Sequence, residues 1–197
     1  TTTALPPAND ICSGAIVIPS AGPFPVLTSV VNNASATDTN DPVGTCQSNV
    51  RKGLWYSFTP STTGQYKIST CQSDAPGSTL SDDVLTIYTS ASGCTGPFTQ
   101  VICDDDACTT LGLQAVANAD LTAGTTYYIL VQAYSSNIGD VQLFVDAPVT
   151  CAPATAVTSS NITMSSADVG WTGTGTFILE YGPQNFTPGT DGDRKSV

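Results

Sequence analysis

The chain has 197 residues, 40% of them hydrophobic, which suits one large folded domain or a domain and a half. Sixteen acidic residues outweigh five basic ones for a net charge of −11, which argues against nucleic acid or an anionic membrane surface as partner, since both need a basic patch. Histidine is absent, so Ser-His-Asp and Cys-His nucleophiles and every His-bearing metal site are excluded, and a non-enzymatic role is expected.

Helical periodicity is nearly missing. Short alternating runs rich in β-branched and aromatic residues recur instead, separated by Gly, Pro, Asp, Ser and Thr. Strands are predicted at 14–18, 26–31, 54–59, 64–70, 84–89, 98–102, 111–117, 125–134 and 140–146, a density that indicates an all-β sandwich or barrel. Alternation turns Leu54, Tyr56 and Phe58 toward the core and leaves Trp55 on the other face. Tyr127, Ile129 and Val131 point inward likewise, as do Val141, Leu143 and Val145. Tyr128, Tyr134 and Phe144 then face outward together and are the candidates for stacking on a polymer ligand. No apolar run is long enough for a helical membrane span, and "TTTALPPAND" reads as a mature or trimmed N-terminus.

The composition changes at "DAPVTCAPATAV", which marks a junction between domains at 1–147 and 148–197. Beyond it, "TAVTSSNIT", "SADVGWT" and "TFILEYGP" read as three strands, followed by a loop, "QNFTPGTDGDRKSV".

Five segments in order, "PPANDICSGAIVI", "LWYSFTPSTTGQYKIST", "DDVLTIYTSASGC", "VICDDDAC" and "LTAGTTYYILVQAY", resemble the bacterial pre-peptidase C-terminal (PPC) domain over about residues 7–146. That resemblance implies a secreted jelly-roll β-sandwich. The remainder, with Trp171 and an E-Y-G strand, resembles the start of a fibronectin type III domain, an immunoglobulin-like sandwich. Only 47 residues from Cys151 are present, so this second sandwich is expected to be partial, cut from a longer chain or completed by another.

Seven cysteines without a C-x-x-C pair fit an oxidising, extracellular or cell-surface setting. Cys151 is expected to pair beyond residue 197, and the other six among themselves. The expected bridges are Cys12–Cys46, Cys71–Cys108 and Cys94–Cys103, with Cys103–Cys108 and Cys71–Cys94 as open alternatives.

Two acidic groups stand out: Asp104, Asp105 and Asp106 between cysteines, and Asp82 with Asp83 before a strand. If the intervening hairpin pairs in register, both groups reach one end of a sheet and could surround a hard cation such as calcium, which takes six to eight oxygens. The resemblance to the PPC domain implies calcium as well, since modules of this type and the related collagen-binding domains often use it. The spacing lacks the glycine and closing glutamate of an EF-hand. A second stretch, "ATDTNDP", with Asp38, Asn40 and Asp41, reads as a turn. No acid lies in a stretch apolar enough to raise its pKa, which speaks against a glycosidase-like carboxylate pair. Sequons stand at Asn33, Asn161 and Asn185, and the Arg51-Lys52 pair is too isolated to make a basic patch.

These features predict a non-catalytic module of a larger secreted or surface protein, stabilised by calcium and disulfides and serving binding, adhesion or spacing. The alternatives are a module that targets a secreted peptidase or glycosidase to a polysaccharide or fibrous protein, and a filament subunit assembled by strand exchange. The expected partner is an extracellular polymer, surface glycan or protein.

Overall fold

The computed structural model describes residues 4–108, 112–148, 155–163, 166, 168–172, 178–181 and 193–196. The chain divides into two compact units, Thr1–Pro148 and Val149–Val197. Among the described residues there is no α-helix, only strands and two short 3₁₀ turns, Cys12–Gly14 and Gly93–Thr95. The protein is all-β, built from several sheets.

Among the described residues the first unit holds eleven strands: β1 (Ile16–Ile18), β2 (Val26–Leu27), β3 (Val31–Asn32), β4 (Val50–Phe58), β5 (Gly64–Ser69), β6 (Asp83–Thr89), β7 (Thr99–Asp104), β8 (Val116–Leu121), β9 (Tyr127–Tyr134), β10 (Asp140–Val141) and β11 (Phe144–Asp146). One sheet runs β1-β4-β9-β6-β7, a second β2-β11-β5-β8, and β10 pairs with β3 in a small third. Both larger sheets feed one hydrophobic core. Leu54, Tyr56, Phe58, Leu85, Ile87 and Ile129 enter it from the five-stranded sheet, and Tyr66, Ile68, Ala117, Leu121 and Val145 from the four-stranded one. Alternation explains these faces, since the apolar residues named here recur at every second position along their strands.

Two predicted strands are each broken in two. The 26–31 run divides into β2 and β3, and the 140–146 run into β10 and β11. The breaks face each other: the Thr28 amide donates to the Leu143 carbonyl (3.0 Å), and the Leu143 amide to the Thr28 hydroxyl (2.9 Å). Both segments change sheet there, a tertiary event that a strand pattern does not encode. The strand expected at 111–117 lies at β8 instead. Gln114 is buried, its side chain bonded to the Leu80 carbonyl and the Gln72 amide, which commits 112–115 to a loop. Asn118 and Asp120 occur inside β8 because they occupy its solvent face.

Trp55 lies on the outer face of the five-stranded sheet, as expected, yet is only 1% exposed. Cys12, Tyr88 and Leu130 pack around it in a second core, with Cys94, Phe98 and Tyr128 against them. The Trp55 and Phe98 ring centroids are 5.2 Å apart, and those of Phe98 and Tyr128 5.8 Å.

That cover explains the disulfides. All six cysteines expected to bridge do so, but only Cys71–Cys108 follows the expected pairing. The others are Cys12–Cys94 and Cys46–Cys103, with Cα–Cα distances of 5.3 and 5.7 Å, in place of Cys12–Cys46 and Cys94–Cys103. Cys94 belongs to a turn folded over Trp55, which brings it to Cys12. The segment before β4 runs across β7, where Thr45 and Gln100 exchange two hydrogen bonds and Cys46 meets Cys103. Packing there is close: a Cβ on Gly44 would lie 2.6 Å from the Cys103 Sγ.

In the second unit, β12 (Thr155–Ser160) pairs with β13 (Asp168–Thr172), and β14 (Ile178–Tyr181) with β15 (Asp193–Ser196). β15 falls in the predicted loop. "DRKS" has no apolar alternation, and its pairing uses backbone groups that any sequence supplies. Cys151 and Asn185 lie outside the described residues.

Candidate metal centre

β6 and β7 are antiparallel, with Leu85 opposite Asp104, so the start of one lies beside the end of the other. The two acidic groups therefore meet at one sheet end. Asp82 is held by a parallel bridge to Leu113, and the Leu113 amide bonds the Ser81 carbonyl at 2.9 Å. The Cys71–Cys108 bridge anchors the loop that follows β7.

Three of the five predicted ligands converge. Asp82, Asp105 and Asp106 each present a carboxylate oxygen, all within 4.8 Å of one another, a group that could hold a metal ion. They line a recess of about 220 Å³ with Gln47, Leu113 and Tyr134. Gln47 donates to an Asp105 oxygen at 3.1 Å. Burial raises the Asp82 pKa, and the Asp106 and Asp105 charges raise it further. Burial likewise raises that of Asp105, with the Gln47 bond opposing and Asp106 and Asp104 adding. The recess thus gathers negative charge without a basic side chain among its lining residues, the electrostatic setting in which a cation is favoured.

Asp83 and Asp104 fall outside this group. Alternation turns Asp83 inward, where it is 0% exposed. One of its oxygens accepts from the Thr70 hydroxyl (2.7 Å) and the Ala115 amide (3.2 Å); the other is buried without a partner. Burial, the largest cause, lifts its pKa from 3.8 to about 7. Asp104 accepts from the amides of Val116 (2.9 Å) and Ala107 (3.3 Å), fixing the loop that carries its neighbours.

The "ATDTNDP" stretch is a turn whose acids have protein partners. Asp38 accepts from the Lys52 amide (2.7 Å), and Asp41 from the Trp55 indole N–H (2.8 Å). Asp41 also has a buried oxygen without a partner, and burial lifts its pKa to about 7, with the Trp55 bond opposing and the Asp10 and Asp38 charges adding. The expectation that no acid lies in a setting apolar enough to raise its pKa is therefore corrected: burial raises Asp82 and Asp105 in the recess, and the larger shifts fall at Asp41 and Asp83. Both depend on cover from distant segments, which neighbours in sequence do not reveal. The two lie on opposite faces of the five-stranded sheet and do not form a carboxylate pair.

The three outward aromatics do not share a surface. Tyr128 and Tyr134 belong to β9 in the five-stranded sheet, where Phe98 packs on the first and the second lines the acidic recess. Phe144 belongs to the four-stranded sheet, 5.5 Å from the Lys67 ammonium. Alternation through residues 140–146 holds, with Val141, Leu143 and Val145 in the core, but the chain changes sheet within them, so the outward face that carries Phe144 belongs to the other sheet.

Three disulfides suggest an oxidising, extracellular environment. No helix among the described residues is long and apolar enough to cross a membrane. No family model matches the sequence, and no curated protein matches it.

Proposed function

We propose that the chain is a non-catalytic extracellular module of a larger protein, stabilised by calcium and disulfides, serving binding, adhesion or spacing. Asp82, Asp105 and Asp106 would hold the ion, with water completing the coordination that three carboxylates leave open. The fold would be a PPC-like jelly roll followed by a partial fibronectin type III domain, on the strength of the five ordered sequence segments and the shared core of two sheets.

The observation that carries this reading is the convergence of three carboxylates from two loops, within 4.8 Å and without a basic residue lining the recess. An ion there would tie the start of β6 to the end of β7 and relieve the mutual repulsion of the acids. Polymer targeting has less support, because Tyr128, Tyr134 and Phe144 are divided between two sheets.

The test is thermal unfolding in chelator and in millimolar calcium. Calcium should raise the midpoint by several degrees, since an ion bound only by the folded state stabilises it by mass action. Asp105→Asn should remove most of that gain. Coincident melts with and without calcium in the wild type would sink the proposal.

A further inference from the structure

The Arg51-Lys52 pair has no role in the acidic recess, and its setting is unusual. β4 carries a bulge here: pairing with β9 runs Val50–Tyr134 and Arg51–Ala133, then resumes at Leu54–Val131. Lys52 sits in the bulge at φ +59, a left-handed conformation that strains any residue with a Cβ and suits glycine. The bulge sets two consecutive cationic side chains, two of only five in the chain, on the rim of one recess.

That recess measures about 470 Å³ and is lined by Ala36, Thr37, Asp38, Arg51, Lys52 and Ser136. Lys52 Nζ donates to the Ala34 carbonyl at 2.6 Å, which leaves two of its three N–H groups. Arg51 gives one N–H to the Val50 carbonyl (2.6 Å), and its Nε lies 3.7 Å from an Asp38 oxygen, so most of its fork stays free. Half of each side chain in the Arg51–Asp38 pair is exposed, so the pair is weak and can open for a ligand.

The lining combines donors for an anion with an acceptor, Asp38, and the exposed hydroxyl of Ser136. Asp38 repels a compact dianion such as sulfate or phosphate about twice as strongly as a monoanion, and such an ion offers it no hydroxyl in return. A single carboxylate attached to a hydroxylated ring meets both needs. We propose that this recess binds one uronic acid residue of a polysaccharide, its carboxylate on Arg51 and Lys52 and its hydroxyls on Asp38 and Ser136; two cations suffice for a single carboxylate, though not for the basic patch that a densely charged polyanion needs. Charge-assisted hydrogen bonds to the carboxylate would supply selectivity over neutral sugars. The inference rests on the extracellular reading above but not on an ion at Asp82, Asp105 and Asp106.

The experiment is an NMR titration of the full chain with sodium trigalacturonate in chelator, so that calcium plays no part and the fate of the metal centre is read separately from the melts. Amide shifts should move at Arg51, Lys52 and Ser136. Lys52→Gly retains a residue suited to the left-handed backbone, and Arg51→Gln leaves the Lys52–Ala34 bond in place. Each should weaken binding by about tenfold or more, the effect expected for losing a hydrogen bond to a charged group. The uncharged methyl ester of the same trisaccharide should bind as weakly as the variants do to the acid. Absence of shifts at these residues, equal affinity for the ester, or undiminished binding by Arg51→Gln would overturn the assignment.

Discussion

Asp83→Asn should make the protein more stable at neutral pH while leaving it unchanged in acid. The wild-type carboxyl is fully buried, has one oxygen without a partner, and titrates at about 7 instead of 3.8. A raised carboxyl pKa means that the folded chain holds the proton more tightly than the unfolded one. Its contribution is therefore fully present below the unfolded value and is lost as pH rises through about 7. The whole shift corresponds to about 4 kcal/mol at 1.36 kcal/mol per pH unit. Asparagine copies the shape of the protonated acid: Oδ1 still accepts from Thr70 and Ala115, and an amide N–H₂ replaces the O–H at the unpartnered position. Urea unfolding of both proteins in chelator should give nearly equal stabilities at pH 4. The variant should gain steadily as pH rises, reaching an advantage of about 4 kcal/mol by pH 8. A difference that stays constant across this range, or a wild type that is the more stable at pH 8, would refute the reasoning.

Two further outcomes follow from the cover over the sheet and the seam between strands. Replacing Cys12 and Cys94 together with Ala opens an 82-residue link, and it should cost about 4 kcal/mol by loop-closure entropy and shift Trp55 fluorescence to the red as its cover loosens. Unchanged emission in the folded double variant would show that Phe98 holds its place without the bridge. Asn33→Ala should cost about 2 kcal/mol in urea unfolding, because Asn33 is 0% exposed and its oxygen accepts the Gly139 amide at 2.9 Å. For the same reason Asn33 should carry no glycan by mass spectrometry when expressed in a glycosylating host.

Much of the fold was legible because strand alternation is a local property. Leu54, Tyr56 and Phe58 face the core, as do Tyr127, Ile129 and Val131, because burial selects every second residue. The meeting of Asp82 with Asp105 and Asp106 was legible too, since an antiparallel pair necessarily sets the start of one strand beside the end of the other. What spacing could not divide was the five acids. Which of them point into the recess and which bond backbone amides depends on β8 and its preceding loop, more than ten residues away.

Composition and pattern alone determined that this chain folds as β-sheet and that it lacks histidine chemistry, and they pointed to disulfide-forming cysteines of the kind an oxidising setting favours. Only the tertiary structure decided the partners of Cys12 and Cys46, the burial of Trp55, Asp41 and Asp83, and the assignment of Phe144 to a different sheet from Tyr128. The physical reason is one of range. Alternation is set by neighbours in the chain, whereas disulfide partners and buried charges are set by segments that cross the sheet from tens of residues away.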